Sequence, residues 1–205
     1  MKSSCIITYK EKNAVYKIRD TLSANIKKNL TKQIVLICIG SDRSTGDSLG
    51  PIVGEKLKFL RRSNFSLFGT LEDPVHAKNL CETLSIIKKK YKDPYIIAVD
   101  ASLGSIDDVG NIIIKNTPLM PGSALEKKLP PVGDLSIKGI VNVSGTLDFM
   151  VLQNTRLYTV MMLAEIISSG IYHSVIQTMG SRKAPQNILK ASCERISNNN
   201  KKRSV

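Results

Sequence analysis

Two aspartates in this chain sit where acid/base chemistry is done. Asp47 falls in Ile34-Val-Leu-Ile-Cys-Ile-Gly40-Ser-Asp-Arg-Ser-Thr-Gly-Asp47-Ser-Leu-Gly50-Pro51. That stretch reads as an apolar strand, a tight polar loop and a helix start. Asp100 closes a second apolar strand, Tyr95-Ile-Ile-Ala-Val-Asp100, followed by Ala-Ser-Leu-Gly104. Two carboxyls held close together cannot both ionise comfortably, so one pKa rises and the pair shares a proton. The ionised member can then draw a proton from water while the protonated one donates to a substrate oxygen or leaving nitrogen. Such a pair hydrolyses an amide with neither metal nor cofactor, and it equally suits a divalent cation. The plain structural alternative makes Asp47 a helix N-terminal acid and Asp100 a strand-end cap.

The elements that must position these acids follow from periodicity. Val15, Ile18, Leu22, Ile26 and Leu30 recur every three or four residues and predict a helix over 13–30. Ile34–Ile39 is a continuous apolar run, the mark of a strand covered on both faces. A helix is expected from Asp47 to about Leu60, with Pro51 accommodated in its first turn. A weaker strand over 66–71 precedes a helix over 75–90. Strands over 95–99, 111–115 and 139–143 follow, then a long helix over 146–168 and a last one over 184–196. Cys5–Tyr9 is a short strand or an irregular arm, and 197–205 a basic tail. Strands alternating with helices predict an α/β fold, a three-layer sandwich with a mostly parallel central sheet, as one domain over 1–205. In such sheets the site lies beyond the carboxyl ends of the strands. Asp47 and Asp100 face one crevice if their strands are neighbours.

The net charge of +13 is carried by the flanks. Residues 1–32 and 181–205 each hold a net of +6, and 33–180 a net of +1. That distribution favours solvated helix faces and a tail over direct nucleic-acid binding. Four cysteines without metal-type spacing (Cys5, Cys38, Cys81 and Cys193) fit a reduced, cytoplasmic protein. Cys38 falls within a strand, where a small buried thiol is the usual outcome. No signal-peptide core is visible near the N-terminus, and the most apolar stretch, Val160–Ile167, carries Glu165, which argues against a membrane span.

Other candidates have weaker chemistry. Gly40–Gly46 resembles a phosphate loop in its glycines, but it lacks the Lys-Ser/Thr ending, and Asp42 and Asp47 repel phosphate; Arg43 alone favours it. Ser123 with Lys127 or Lys128 forms a nucleophile pair on paper, whereas a loop that positions substrate is simpler. Asp134 and Asp148 read as turn or cap residues. His76 opens the predicted 75–90 helix as a surface or capping residue, with a place near the crevice as the alternative, and His173 falls in a turn after the long helix. Leu157, Val160, Met161 and Ala164 form a stripe suited to core or to a contact between subunits in a homo-oligomer.

Taken together, Gly40-Ser-Asp-Arg-Ser-Thr-Gly-Asp47-Ser-Leu-Gly-Pro51, Ile97-Ala-Val-Asp100-Ala and Pro121-Gly-Ser123 resemble the bacterial spore germination protease family in order and spacing. The likeness is strongest to the shorter YyaC-type sporulation proteins and covers about residues 33–165. It implies a fold like that of hydrogenase maturation proteases. It also implies an acid-type endopeptidase that degrades small spore proteins in the sporulating cell or spore core, with Asp47 and Asp100 as its essential acids. On this reading Asp42, Arg43, Ser123 and His76 position a protein or peptide substrate, and no metal takes part. Two alternatives stay open. One is a catalytically silent sporulation protein that binds a protein partner on a protease scaffold. The other is a metal-dependent peptidase of the maturation type, whose relatives add a His to the acidic pair.

Overall fold

The computed structural model describes residues 4–121 and 129–180. Its elements in chain order are β1 (Ser4–Thr8), α1 (Ala14–Lys28), β2 (Ile34–Cys38), α2 (Leu49–Leu57), β3 (Phe65–Phe68), α3 (Leu80–Lys90), β4 (Tyr95–Gly104), β5 (Asn111–Lys115), β6 (Leu135–Val143), α4 (Asp148–Gln153) and α5 (Leu157–Met179). The strands form one sheet in the order β1-β5-β6-β4-β2-β3. β3, β2, β4 and β6 run parallel, and β5 is antiparallel to both β6 and β1.

Alternation along each strand divides two cores. On one face Ile34, Leu36, Cys38, Ile97, Val99 and Ile137 pack against α1, α2 and α5. On the other, Val35, Ile37, Ile96 and Ala98 meet Leu80 and Ile87 of α3 and the segment carrying Leu119 and Val132. The result is a three-layer sandwich with a mostly parallel sheet. The order places the topological switch between β2 and β4: α2 leads from β2 to one flank, and α3 returns the chain to the other. A crevice opens beyond the carboxyl ends at such a point.

Several boundaries differ from the periodicity. The expected 146–168 helix is two helices, α4 and α5, separated at Asn154, Thr155 and Arg156. Thr155 is buried; its Oγ donates to Val151 O at 2.8 Å and accepts from Asn142 Nδ2 at 3.3 Å. This bend folds α4 over the Gly46 loop, where a Cβ on Gly46 would lie 2.8 Å from both Leu152 and Thr155 side chains. α5 continues to Met179, so His173 is an exposed residue inside a helix and not in a turn. α3 begins at Leu80 because Asn79 fixes a turn ahead of it: its Oδ1 accepts the His76 N–H at 2.8 Å and its Nδ2 donates to Pro74 O at 3.0 Å. The expected 184–196 helix, Cys193, Ser123, Lys127 and Lys128 lie outside the described residues.

α5 is long and apolar enough to cross a membrane by length and composition, but 56% of its most apolar window is buried against the rest of the fold. Val160 and Ala164 of the predicted stripe are core, whereas Leu157 and Met161 reach solvent. Cys38 is fully buried, and that burial pushes its thiol pKa far up, which makes it inert.

Candidate functional site

The end of β2 organises the crevice. Ile39 is flanked by Val75, with which it forms a parallel bridge, and by Val99, whose carbonyl accepts the Ile39 N–H at 2.7 Å. One residue further along these three segments come His76, Gly40 and Asp100. All three line a cleft of about 250 Å³. Asp47 joins them from the loop after β2, because the chain doubles back: the Ser41 N–H donates to the Asp47 carbonyl at 3.1 Å. The strands of the two acids are therefore neighbours, and both side chains border one space. Gly50 lets the start of α2 press on the strand end, since a Cβ there would come within 2.0 Å of Ile39 O.

The remaining wall comes from Ala101, Ser102 and Leu103 of β4, from Pro121 and Leu129, and from Ser144, Asp148 and Leu152. β4 shifts register against β6 between Ser102 and Leu103, a bulge that turns this wall. Asp148 was readable in the sequence only as a cap. It does accept the Gly145 N–H at 2.8 Å, but the bend between α4 and α5 also brings it to the cleft. Asp134 is purely structural: its carboxylate accepts the Ile96 N–H at 2.8 Å.

Electrostatics separate the two acids. Asp100 is 8% exposed, and burial raises its carboxyl pKa well above the usual range; the Asp47 charge raises it further, while Lys138 and the Ala101 N–H oppose. Burial also raises Asp47, against the pull of the Ser41 N–H and His76. Asp47 therefore ionises first, and Asp100 keeps the proton. This is the asymmetry that general acid/base work requires.

Not all candidates converge. Asp42 and Arg43 are exposed and do not line the cleft. His76 does, in keeping with the crevice alternative and not with a surface or helix-capping place: it is half-buried in the turn before α3, and its Nδ1 is buried without a hydrogen-bond partner. The loop backbone is partly engaged within the fold, which weakens the phosphate-loop reading. The Gly40, Ser41, Arg43 and Ser48 N–H groups donate to Val75 O, Asp47 O, Ser41 Oγ and Thr45 O, so none of these four is free to cradle an anion.

The family model described as "Protein of unknown function (DUF1256)" matches residues 6–170. This chain belongs to that family. Within reach of the same match, "Uncharacterized protein YyaC" of Bacillus subtilis (strain 168) is 48% identical over 165 residues, covering 80% of each chain. Among solved structures, the [NiFe] hydrogenase maturation protease HycI from Thermococcus kodakarensis KOD1 aligns with 70% of this chain and 98% of its own. Identity there is 18% and the TM-score 0.34. In this DUF1256 chain the fold class stands on the sheet topology itself. Among the described residues, no three His, Cys, Asp or Glu side chains come together as a group that could hold a metal ion.

Proposed function

We propose that this protein is an acid-type peptidase in which Asp47 is the general base and Asp100 the general acid. The carrying observation is that the two carboxyls share one cleft at the sheet's switch point, both raised by burial and Asp100 held further up than Asp47. Ionised Asp47 takes a proton from a water molecule as its oxygen bonds to the scissile carbonyl carbon. Asp100 gives its proton to the carbonyl oxygen. As the tetrahedral species collapses, Asp100 recovers a proton from the hydroxyl, Asp47 hands its own to the amide nitrogen, and the C–N bond breaks. The sum is one water added across one amide. His76, bordering the same cleft, is suited to orient the substrate carbonyl.

A polypeptide substrate is supported by the rim. α4 lends Asp148 and Leu152 to the cleft and presents Phe149 and Met150, each about half exposed, to solvent. Solvent-facing apolar residues beside a cleft suit the side chains of an extended or unfolded chain. The motif resemblance narrows that substrate to small spore proteins. The same rim favours a second reading, a silent scaffold that binds a protein partner without cutting it.

Incubation with small spore proteins separates the two readings. Cleavage by the wild type that is lost in Asp47→Asn and Asp100→Asn, with both variants folded, is the expected result. Full activity in either variant refutes the acid pair. Complex formation without cleavage by the wild type supports the scaffold.

A further inference from the structure

A lysine is out of place in the middle of a central strand. β6 lies between β4 and β5, and Leu135, Ile137, Gly139, Ile140 and Val141 are all buried there, as such a strand requires. Lys138 interrupts them and is only partly exposed. Lysine is seldom tolerated in such a place without a charge to meet.

The register supplies the charge. Lys138 and Asp100 are direct partners in the parallel β4–β6 ladder, so their side chains leave the sheet on the same face. On the β5 side Lys138 is paired with Ile113, which offers none. Along the β4–β6 ladder on that face, its neighbours are Ala98, Ser102, Ser136 and Ile140. Lys138 belongs to none of the ion pairs among the described residues. The titratable groups facing Asp100 across the cleft are Asp47 from the loop after β2, His76 from the turn before α3, and Asp148 from α4. The sheet contributes Lys138 beside Asp100, and Lys115 of β5, paired with Ser136, faces the same way one strand further out.

We propose that Lys138 is a positioning residue for the aspartate pair, its ammonium balancing the single negative charge that two carboxyls with one proton carry. The proposal rests on the acid/base reading of Asp47 and Asp100. A lone charge in a cleft walled by Ile39, Leu103 and Leu152 is costly unless an opposite charge faces it. Lys138 supplies that opposite charge from a rigid strand without occupying the space a substrate needs, since it does not line the cleft. The opposing pull of Lys138 on the Asp100 carboxyl agrees in direction. A lysine so placed makes Asp100 a readier proton donor.

The test is a pH titration of the full chain labelled with ¹³C at aspartate carboxyls, followed by carbon NMR. Asp100→Asn identifies the Asp100 signal. In Lys138→Met the Asp100 midpoint is expected to move up by roughly one pH unit. Lys138→Gln should behave alike, and Lys138→Arg should keep the wild-type midpoint. The alkaline limb of kcat moves in the same direction. A merely structural lysine moves neither, and an unmoved midpoint in folded Lys138→Met or Lys138→Gln overturns the proposal. The titration needs no turnover, so the two readings fail separately. A moved midpoint in a protein that cleaves nothing keeps Lys138 and removes the peptidase. Cleavage with an unmoved midpoint does the reverse.

Discussion

The carbonyl oxygen of Asp47 occupies the space that a side chain on Gly40 would fill: a Cβ there would lie 1.9 Å from it. Gly40 also has φ +143°, a conformation that side chains strain to adopt. This residue lets the loop close and return Asp47 to the end of β2. Gly40→Ala should therefore cost roughly 3 kcal/mol, from strain and overpacking together, and should abolish cleavage by displacing Asp47. Gly145→Ala is the control, because a Cβ there meets nothing within 4 Å. Urea denaturation of the two variants alongside wild type measures the difference.

Asp100 should make stability fall as pH rises. Unfolded, its carboxyl titrates near ~3.9; folded, burial and the Asp47 charge hold it well above. Between those values the folded chain keeps a proton that the unfolded chain has released, so the unfolding free energy drops with increasing pH until the folded carboxyl ionises. Asp100→Asn removes this dependence. Its urea midpoint relative to wild type should climb as pH is raised from about 4, even though the variant is inactive. Parallel curves for the two proteins would mean that Asp100 is ionised in the folded state and cannot be the acid.

The sequence pattern made the sheet legible because β2 and β4 are covered on both faces and read as unbroken apolar runs. It also located Asp100, which breaks the apolar run of β4 although the strand continues to Gly104, and Asp47, which follows the polar loop after β2. It missed what depends on distant contacts. The break between α4 and α5 exists because Thr155 and Leu152 pack on Gly46, a contact about a hundred residues apart that no local period encodes. Asp148 reaches the cleft only through that break. His76 was a candidate from the sequence, but the turn that holds it was not legible, because an apolar pattern running into α3 masked the contacts of Asn79. Lys138 was invisible because its significance lies in a register, Asp100 to Lys138, that only strand pairing reveals.

The packing of α5 on α1 can be tested apart from the cleft. A Cβ on Gly170 would lie 2.4 Å from Ile18 Cγ2 and 2.6 Å from Ile18 Cβ, and Ile18 is fully buried. Helix propensity alone favours alanine over glycine by about 1 kcal/mol. Overpacking costs about 1–3 kcal/mol, and it wins here because the Cβ of Ile18 is fixed to the backbone. Gly170→Ala should be destabilised on balance and Gly170→Val more so, by thermal denaturation. Where they remain folded, kcat should match wild type, because neither residue borders the cleft.

The rim of α4 makes a prediction about substrate size. Phe149 is 51% exposed and Met150 52%, and in α4 they stand between Asp148 and Leu152, which line the cleft. A polypeptide crossing the cleft would cover these side chains, whereas a short peptide spanning only the scissile bond would not reach them. Fully burying a side chain of this kind contributes about 1.5–3 kcal/mol, so burying the exposed half of two of them is worth about a tenfold affinity change or more, tenfold being about 1.4 kcal/mol. Phe149→Ser with Met150→Ser should raise KM for a polypeptide by that factor and leave kcat alone. The same double variant should process a short peptide as wild type does. A KM that rises equally for both substrates would point to a disturbed cleft, and one that rises for neither would remove the rim from substrate binding.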